Sequence, residues 1–457
     1  MPGWLWFLLQ FVIIAGLFVY FIIAGKKAKQ ENKTTWFMKA WQNNSVKAVA
    51  SSLLSIVLGL IIGCLILLIM VALPIKGVTL SFKTAIEGIQ LILSGIFNTG
   101  RSSGALIFGF NGSNLGDMLF RATPLILTGL SVAVAFKTGL FNIGAPGQYY
   151  MGSTVTLILA LVIPTSVVPP FFVWIIAFVG GIVAGALWGA VPGLFKSFLN
   201  VNEVITCIMM NWIAGNLVAI LFDSSFGPFK FLLDPSGTKN YAYVFKTTYN
   251  NVATSKFGLD LIFKGSQVNG GIIIAIIIAI LIFIILEKTT FGYQLKACGS
   301  NKNAAKYAGI DDKFATIISM AIAGGLAGAG AALYYLSGNT EFQWTKAYQS
   351  LPAIGFNGIP VALLACNNPL GVIFSASFIS LLDVNGMQLK YMTPYNEHIT
   401  SIISAFIVYF SAFSLLFKQI LDGSIKINLK ALFSRKNTKT VEMASKDKKI
   451  VNEEVTE

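Results

Sequence analysis

The side chains able to do covalent or metal chemistry are few and scattered. One histidine, His398, and four cysteines, Cys64, Cys207, Cys298 and Cys366, stand in 457 residues with no CxxC and no Cys/His spacing. That pattern argues against a zinc site and a disulfide framework, and the thiols read as buried or loop residues. No Walker A sequence is present: the pair Gly25 and Lys26 is followed by Lys27 and lacks the upstream glycine, so nucleotide energy has to come from another chain. GLAGAG at 325–330 carries the glycine spacing of a dinucleotide loop in reverse and lies within an apolar run, where helix packing is its role. Ionisable groups near apolar runs amount to Glu203 at the edge of one, with Asp117 and Arg121 near the start of another, too sparse for a proton relay. No catalytic residue, metal or cofactor is implied. What remains is a set of amides in polar breaks, Asn142, Gln148, Asn211 and Asn357, together with Glu203.

The elements that must position these groups are membrane helices. The chain is 55% hydrophobic and 11% charged, with a mean hydropathy of +0.73, against roughly 25% charged in soluble domains. The net charge of +14 does not indicate nucleic acid, because the basic residues lie between apolar runs. A span needs roughly 20 apolar residues, and eleven apolar runs with almost no charge are candidates, several of them shorter than a full crossing: 4–24, 51–73, 117–136, 148–163, 171–194, 204–222, 271–286, 314–336, 352–365, 370–382 and 399–417. The pair around Asn367, Asn368 and Pro369 is notably short, which suggests half-helices or steep broken segments. Two thirds of the 33 Lys and Arg fall on one side if the segment after the first span is cytoplasmic. That bias places the N-terminus outside and the C-terminus in the cytoplasm.

The resulting architecture is an all-α integral membrane protein of about eleven spans: an extra first span and basic linker at 1–50, a core at 51–417, and a Lys-, Glu- and Asn-rich, disordered tail at 418–457. A long outside loop occupies 223–269 and a cytoplasmic loop 287–313. Between 79 and 97, Phe82, Ile86, Ile89, Leu93 and Ile96 recur at helical spacing opposite Lys83, Glu87, Gln90 and Ser94, which predicts an interfacial helix. Gly181, Gly185, Gly189 and Gly193 line one helix face and predict a close backbone contact.

Four polar segments interrupt this pattern. FKTGLFNIGAPGQ at 136–148 cannot continue a simple helix and reads as a broken crossover. NEVITCIMMNW at 202–212 carries Glu203, Thr206 or Cys207, and Met210 or Asn211 on one face, which fits either a helix contact or an aqueous path. In the loop at 289–316, Ser300 is placed to cap a short helix through Asn301, Lys302, Asn303, Ala304, Ala305, Lys306, Tyr307 and Ala308, which Gly309 terminates. Its small residues, Ala304, Ala305 and Ala308, offer a surface that a soluble partner can grip. GFNGIPVALLACNNPLG at 355–371 repeats the helix, break, helix theme without repeating the letters, which suggests an internal repeat.

Taken in order, TPLILTGLSVAVAFKTGLFNIGAPGQ, NEVITCIMMNWIA, TTFGYQLKACGSNKNAAKYAGI and GFNGIPVALLACNNPLG resemble the permease subunits of bacterial ABC importers. The broad family serves branched-chain amino acids and simple sugars, and the branch most resembled is the nucleoside permeases. The likeness spans about 117–417, with departures at Pro146, where an acidic residue is typical, and at Ala365 and Cys366, where Gly-Arg is usual. The resemblance implies a ten-helix core of two inverted repeats, a second related permease chain, two ATPase subunits below and an extracellular substrate-binding lipoprotein above. It further implies that Gly299 to Gly309 is the coupling helix seated in an ATPase groove, and that a nucleoside moves by alternating access. A neutral cargo with many hydrogen-bonding groups suits a path lined by Asn142, Gln148, Asn211 and Asn357. A simple sugar, a branched-chain amino acid, or an ion-coupled carrier are the alternatives.

Overall fold

The computed structural model describes residues 44–72, 80–223, 225–232, 252–338, 351–413, 416, 417 and 419. The first span, the tail and most of the long outside loop lie outside the described residues. Fourteen α-helices make up almost all of the rest. In chain order they are α1 (Asn44–Ala72), α2 (Phe82–Ser94), α3 (Gly112–Lys137), α4 (Ala145–Val162), α5 (Pro170–Leu199), α6 (Glu203–Leu221), α7 (Leu259–Ile262), α8 (Gly271–Lys288), α9 (Thr290–Ser300), α10 (Lys302–Tyr307), α11 (Asp312–Tyr335), α12 (Ala353–Leu364), α13 (Pro369–Met392) and α14 (His398–Ser411). Among the described residues the only strands form one antiparallel hairpin, β1 (Asn98–Ser102) and β2 (Ala105–Phe108), and single 3-10 turns lie at Gly95–Phe97 and Lys230–Leu232.

Ten of the eleven expected spans are thus helices, and the eleventh lies outside the described residues. Seven of the described helices, α1, α3, α5, α6, α8, α11 and α13, are long and apolar enough to cross a bilayer. At 12 and 14 residues, α12 and α14 reach only about 18 and 21 Å at 1.5 Å per residue. The run at 370–382 is no half-helix: α13 continues through Asp383, Asn385 and Lys390 to Met392. The polar residues that end the run in the sequence do not end the helix, because Asn385 is fully buried and donates to the Ile92 carbonyl at 2.7 Å. Only α12, on the other side of the break, is short. The break itself turns through Cys366 and Asn367, both in the left-handed region.

Burial separates centre from rim. In α3 and α11, 83% and 72% of the apolar window is buried, whereas α1 and α5 bury only 22% of theirs. The core lies among α3, α8, α11, α12 and α13, with Ile126, Leu127, Leu130, Ala327 and Val361 fully enclosed. On α1, Leu53, Val57, Ile61, Leu65 and Ile69 stay exposed at intervals of four. That stripe is the face a hydrocarbon solvent covers. The glycine ridge makes the contact its spacing predicts: a Cβ on Gly185 would strike the Gly324 carbonyl oxygen, and one on Gly189 would lie 2.5 Å from that of Met320. Small residues let α5 and α11 approach backbone to backbone, where dispersion is strongest.

Helix α2 confirms the predicted helix and resolves its faces. Ala85, Gly88, Leu91 and Ile92 pack inward, while Phe82, Ile86 and Leu93 remain exposed, the pattern of a helix lying with one apolar edge against lipid. The hairpin, α7 and the start of α3 gather at one end of the bundle, tied by Ser113 to Gly265 and Asp117 to Gln267. The 287–313 loop occupies the opposite end, beside Lys137.

Candidate functional site

The segment after α3 is re-entrant. Helix α3 ends at Lys137, and the chain turns at Gly139, whose φ of 72° belongs to the left-handed region. It then runs without regular structure back alongside α3 before α4 begins at Ala145. Asn142 has returned far enough to donate to the Ser131 hydroxyl at 2.9 Å, six residues or roughly 9 Å inward from Lys137. Irregular backbone at that depth must have its polar groups satisfied by protein.

The amides satisfy it. Asn142 and Gln148 exchange two hydrogen bonds, Nδ2 to Oε1 at 2.7 Å and Nε2 to Oδ1 at 3.0 Å. The Asn142 Oδ1 also accepts from the Gly144 backbone N–H. From α6, Asn211 accepts from the Gly147 N–H at 2.9 Å and donates to the Ile143 carbonyl at 3.0 Å. Three of the amides expected along a path are therefore brought together, and all three are buried within the chain. In this conformation their hydrogen-bonding groups hold the re-entrant segment. Gly189 of the glycine ridge faces Gln148, where a Cβ would lie 3.2 Å from Nε2.

The two remaining candidates lie elsewhere. Glu203 opens α6 and pairs with Lys196 at the end of α5, Oε2 to Nζ 2.5 Å, eight residues from Asn211. Its carboxylate also sits favourably at the α6 N-terminus. Asn357 is half-buried on α12, which crosses α3 and α4 through two glycines. A Cβ on Gly355 would strike Pro146, and one on Gly358 would lie 2.5 Å from the Thr128 carbonyl oxygen. The two departures from the usual motif thereby acquire local roles: Pro146 forms the seat for Gly355, and Cys366 meets Ser52 of α1, Sγ to Oγ 3.3 Å.

The short helix in the 287–313 loop is present with different roles for two of its residues. Its N-cap is Asn301, whose Oδ1 accepts from the Ala304 N–H at 3.0 Å. Ser300 instead ends α9, its hydroxyl bonded back to the Lys296 carbonyl. Asn301 wins because its extended backbone directs the short side chain at the open N–H groups of α10. At the other end Gly309, φ 79°, and Ile310 donate to the Lys306 and Ala305 carbonyls, the paired bonds of a Schellman stop. Ala305 does not belong to the presented surface: it is buried against its own chain, while Asn303, Ala304, Ala308 and Tyr307 are exposed, Tyr307 by 94%.

Two connections that the sequence reading missed tie α9, the helix directly before α10, to the end of α3 and the turn that follows it. Gly299, near the end of α9, lies against Gly139; a Cβ on Gly139 would be 2.5 Å from the Gly299 Cα. Glu287 at the end of α8 binds Lys137 of α3 at 3.0 Å and Lys296 of α9 at 2.8 Å. The only sequence signal for the first was the number of glycines in 136–148. The second pairs residues 150 positions apart and leaves no local trace.

Residues 114–412 match the profile described as branched-chain amino acid transport system / permease component. The chain is 33% identical to the nucleoside ABC transporter permease protein NupB of Lactococcus lactis subsp. cremoris over 402 residues, 87% of this chain and 100% of the relative. It is 30% identical to the guanosine ABC transporter permease protein NupP of Bacillus subtilis, with 79% and 92% covered. Against the glucose ABC transporter permease protein TsgB13 of Haloferax volcanii identity is 28%, with 67% and 77% covered. No solved structure matches. Both the re-entrant segment and the capped loop helix fall inside the matched region, and the chain belongs to the branched-chain amino acid transport system permease family, a multi-pass membrane component of ABC transporters.

Proposed function

We propose that this chain is the permease subunit of an ATP-driven nucleoside importer and carries no ATPase site of its own. The observation that carries the reading is the exposed, doubly capped helix α10, linked through Gly299 and Gly139 to a re-entrant segment inside the bundle. ATPase subunits dock on α10 from the cytoplasm, with Tyr307, Asn303 and Ala304 in the contact. Closure of those subunits on ATP pushes α9 and α10, Gly299 moves Gly139, and the segment holding Asn142 shifts against α4 and α6. A second, related permease chain completes the path, and an extracellular binding lipoprotein delivers cargo at the hairpin end. The N-terminus lies outside and the C-terminus in the cytoplasm. Nucleoside cargo is favoured by the nucleoside and guanosine permeases among the relatives. The glucose permease supports a sugar as the second reading.

The test is uptake of radiolabelled guanosine by matched cells with and without this gene, challenged with unlabelled nucleosides, ribose and leucine, and repeated after ATP depletion. Gene- and ATP-dependent uptake blocked by nucleosides alone is the expected result. Competition by ribose or leucine instead changes the cargo, and uptake that survives ATP depletion removes the ABC mechanism.

A further inference from the structure

Arg121 on α3 and Asp383 on α13 take no part in the contacts described above. The two helices run antiparallel, with Gly129 of α3 packed against Val372 of α13, so Arg121 comes opposite the 380–387 stretch. Its guanidinium meets the Met387 thioether, Nη2 to Sδ 3.4 Å. Asp383, one turn deeper along α13, lies in the electrostatic field of Arg121. Both side chains are half-buried, and each is nine residues from the hairpin-side end of its helix, roughly 13 Å.

Their neighbours are satisfied and they are not. Just toward the hairpin, Gln388 accepts from Asn98 and donates to Asn114, and Lys390 pairs with Glu397 at 2.9 Å. Among the described residues, however, the one hydrogen bond of Arg121 goes to the thioether, a poor acceptor, with Glu397 and Asp383 in its field but neither in an ion pair with it, and the Asp383 carboxylate has no hydrogen bond or ion pair. One turn below Asp383, the fully buried Ser380 hydroxyl also lacks a partner. A charge of each sign within membrane helices, close enough to feel each other yet making no ion pair, is costly to insert and marks a functional position.

We propose that Arg121 and Asp383 form a cargo station between α3 and α13 that reads the base of a guanine nucleoside in transit. The inference rests on the nucleoside reading above and names the group recognised. Guanine presents two acceptors, O6 and N7, on one edge and donors, N1–H and the 2-amino group, on the adjoining edge. A guanidinium fits the first pair and a carboxylate fits the second. Adenine, which lacks the N1–H donor and the O6 acceptor, leaves both charges poorly matched.

The experiment compares initial uptake of guanosine and adenosine by cells carrying the complete importer, with Asp383→Asn and the charge swap Arg121→Asp/Asp383→Arg beside the wild type. Because the binding lipoprotein is unchanged, a shift in cargo ratio reports the permease. Asp383→Asn is expected to lower guanosine uptake about tenfold and adenosine uptake less than twofold, at equal membrane abundance. The swap is expected to leave guanosine uptake low. Equal losses for both nucleosides, no loss, or recovery of guanosine uptake in the swap would each overturn the station, recovery identifying a structural ion pair. Should Asp383→Asn fail to accumulate, Asp383→Glu, which displaces the charge by one methylene, is expected to shift the guanosine-to-adenosine ratio at least threefold, and an unchanged ratio overturns the proposal. A wild type that moves sugars and no nucleoside removes the nucleoside reading itself, an outcome distinct from any failure of the variants.

Discussion

Gly139 and Gly299 meet backbone to backbone at the loop end of the bundle, with no room for a side chain on either. The contact joins the turn that starts the re-entrant segment to the helix that precedes α10. A Cβ on Gly299 would sit 2.5 Å from the Gly139 nitrogen, and neither partner is a flexible side chain able to yield. Gly299→Ala is therefore expected to cut uptake at least tenfold while the assembled complex still hydrolyses ATP. The ratio of cargo moved to ATP consumed in proteoliposomes checks this, and an unchanged ratio removes the Gly299 to Gly139 linkage.

Tyr307 and Ala305 are two residues apart on α10 and separate docking from folding. Tyr307→Ala removes a ring that touches little of its own chain, so the protein should accumulate normally and retain the ATPase subunits at least tenfold less well on co-purification. Ala305→Asp instead forces a carboxylate into an intrachain contact, at a cost of about 2 kcal/mol or more. Its expected signature is reduced abundance and a lower unfolding temperature. Normal abundance with lost ATPase binding would place Ala305 in the docking surface after all.

Asn211 serves two backbone groups of the re-entrant segment at once. Asn211→Ala orphans the Gly147 N–H and the Ile143 carbonyl, for a loss of about 2–4 kcal/mol. Thermal unfolding of the purified protein should shift downward accordingly. Asn211→Asp keeps the acceptor for Gly147, loses the donor to Ile143 and introduces a charge, so it should not rescue stability.

Cys298 on α9 reports orientation. A variant retaining only that cysteine should react with a membrane-impermeant maleimide in inside-out vesicles and stay unlabelled in intact cells. Burial pushes the Cys298 thiol above its ordinary pKa, and nearby Asp312 adds to the effect. The reactive thiolate is therefore scarce near neutrality. Labelling should accelerate as pH rises from 7 to 9, and labelling of intact cells would reverse the proposed topology.

Composition and periodicity by themselves determined the membrane class and the presence of ten helices, though not where each of them ends, because a long uncharged run has only one stable form in hydrocarbon. The α5 glycine ridge was legible for the same reason: intervals of four place small residues on one face, whatever they pack against. The stop at Gly309 was also local, since a left-handed residue there needs no distant partner. Other features depended on contacts far along the chain. Asp383 ends an apolar run in the sequence yet stands within α13, because the neighbouring Asn385 finds the Ile92 carbonyl 293 residues away. Ala305 looks like its neighbours Ala304 and Ala308 until packing buries it. Asn142, Gln148 and Asn211 share amide chemistry, but only the tertiary structure sets them around one re-entrant backbone. Which polar group meets which is fixed by the helix packing that removes water and leaves each buried donor to find an acceptor inside the protein.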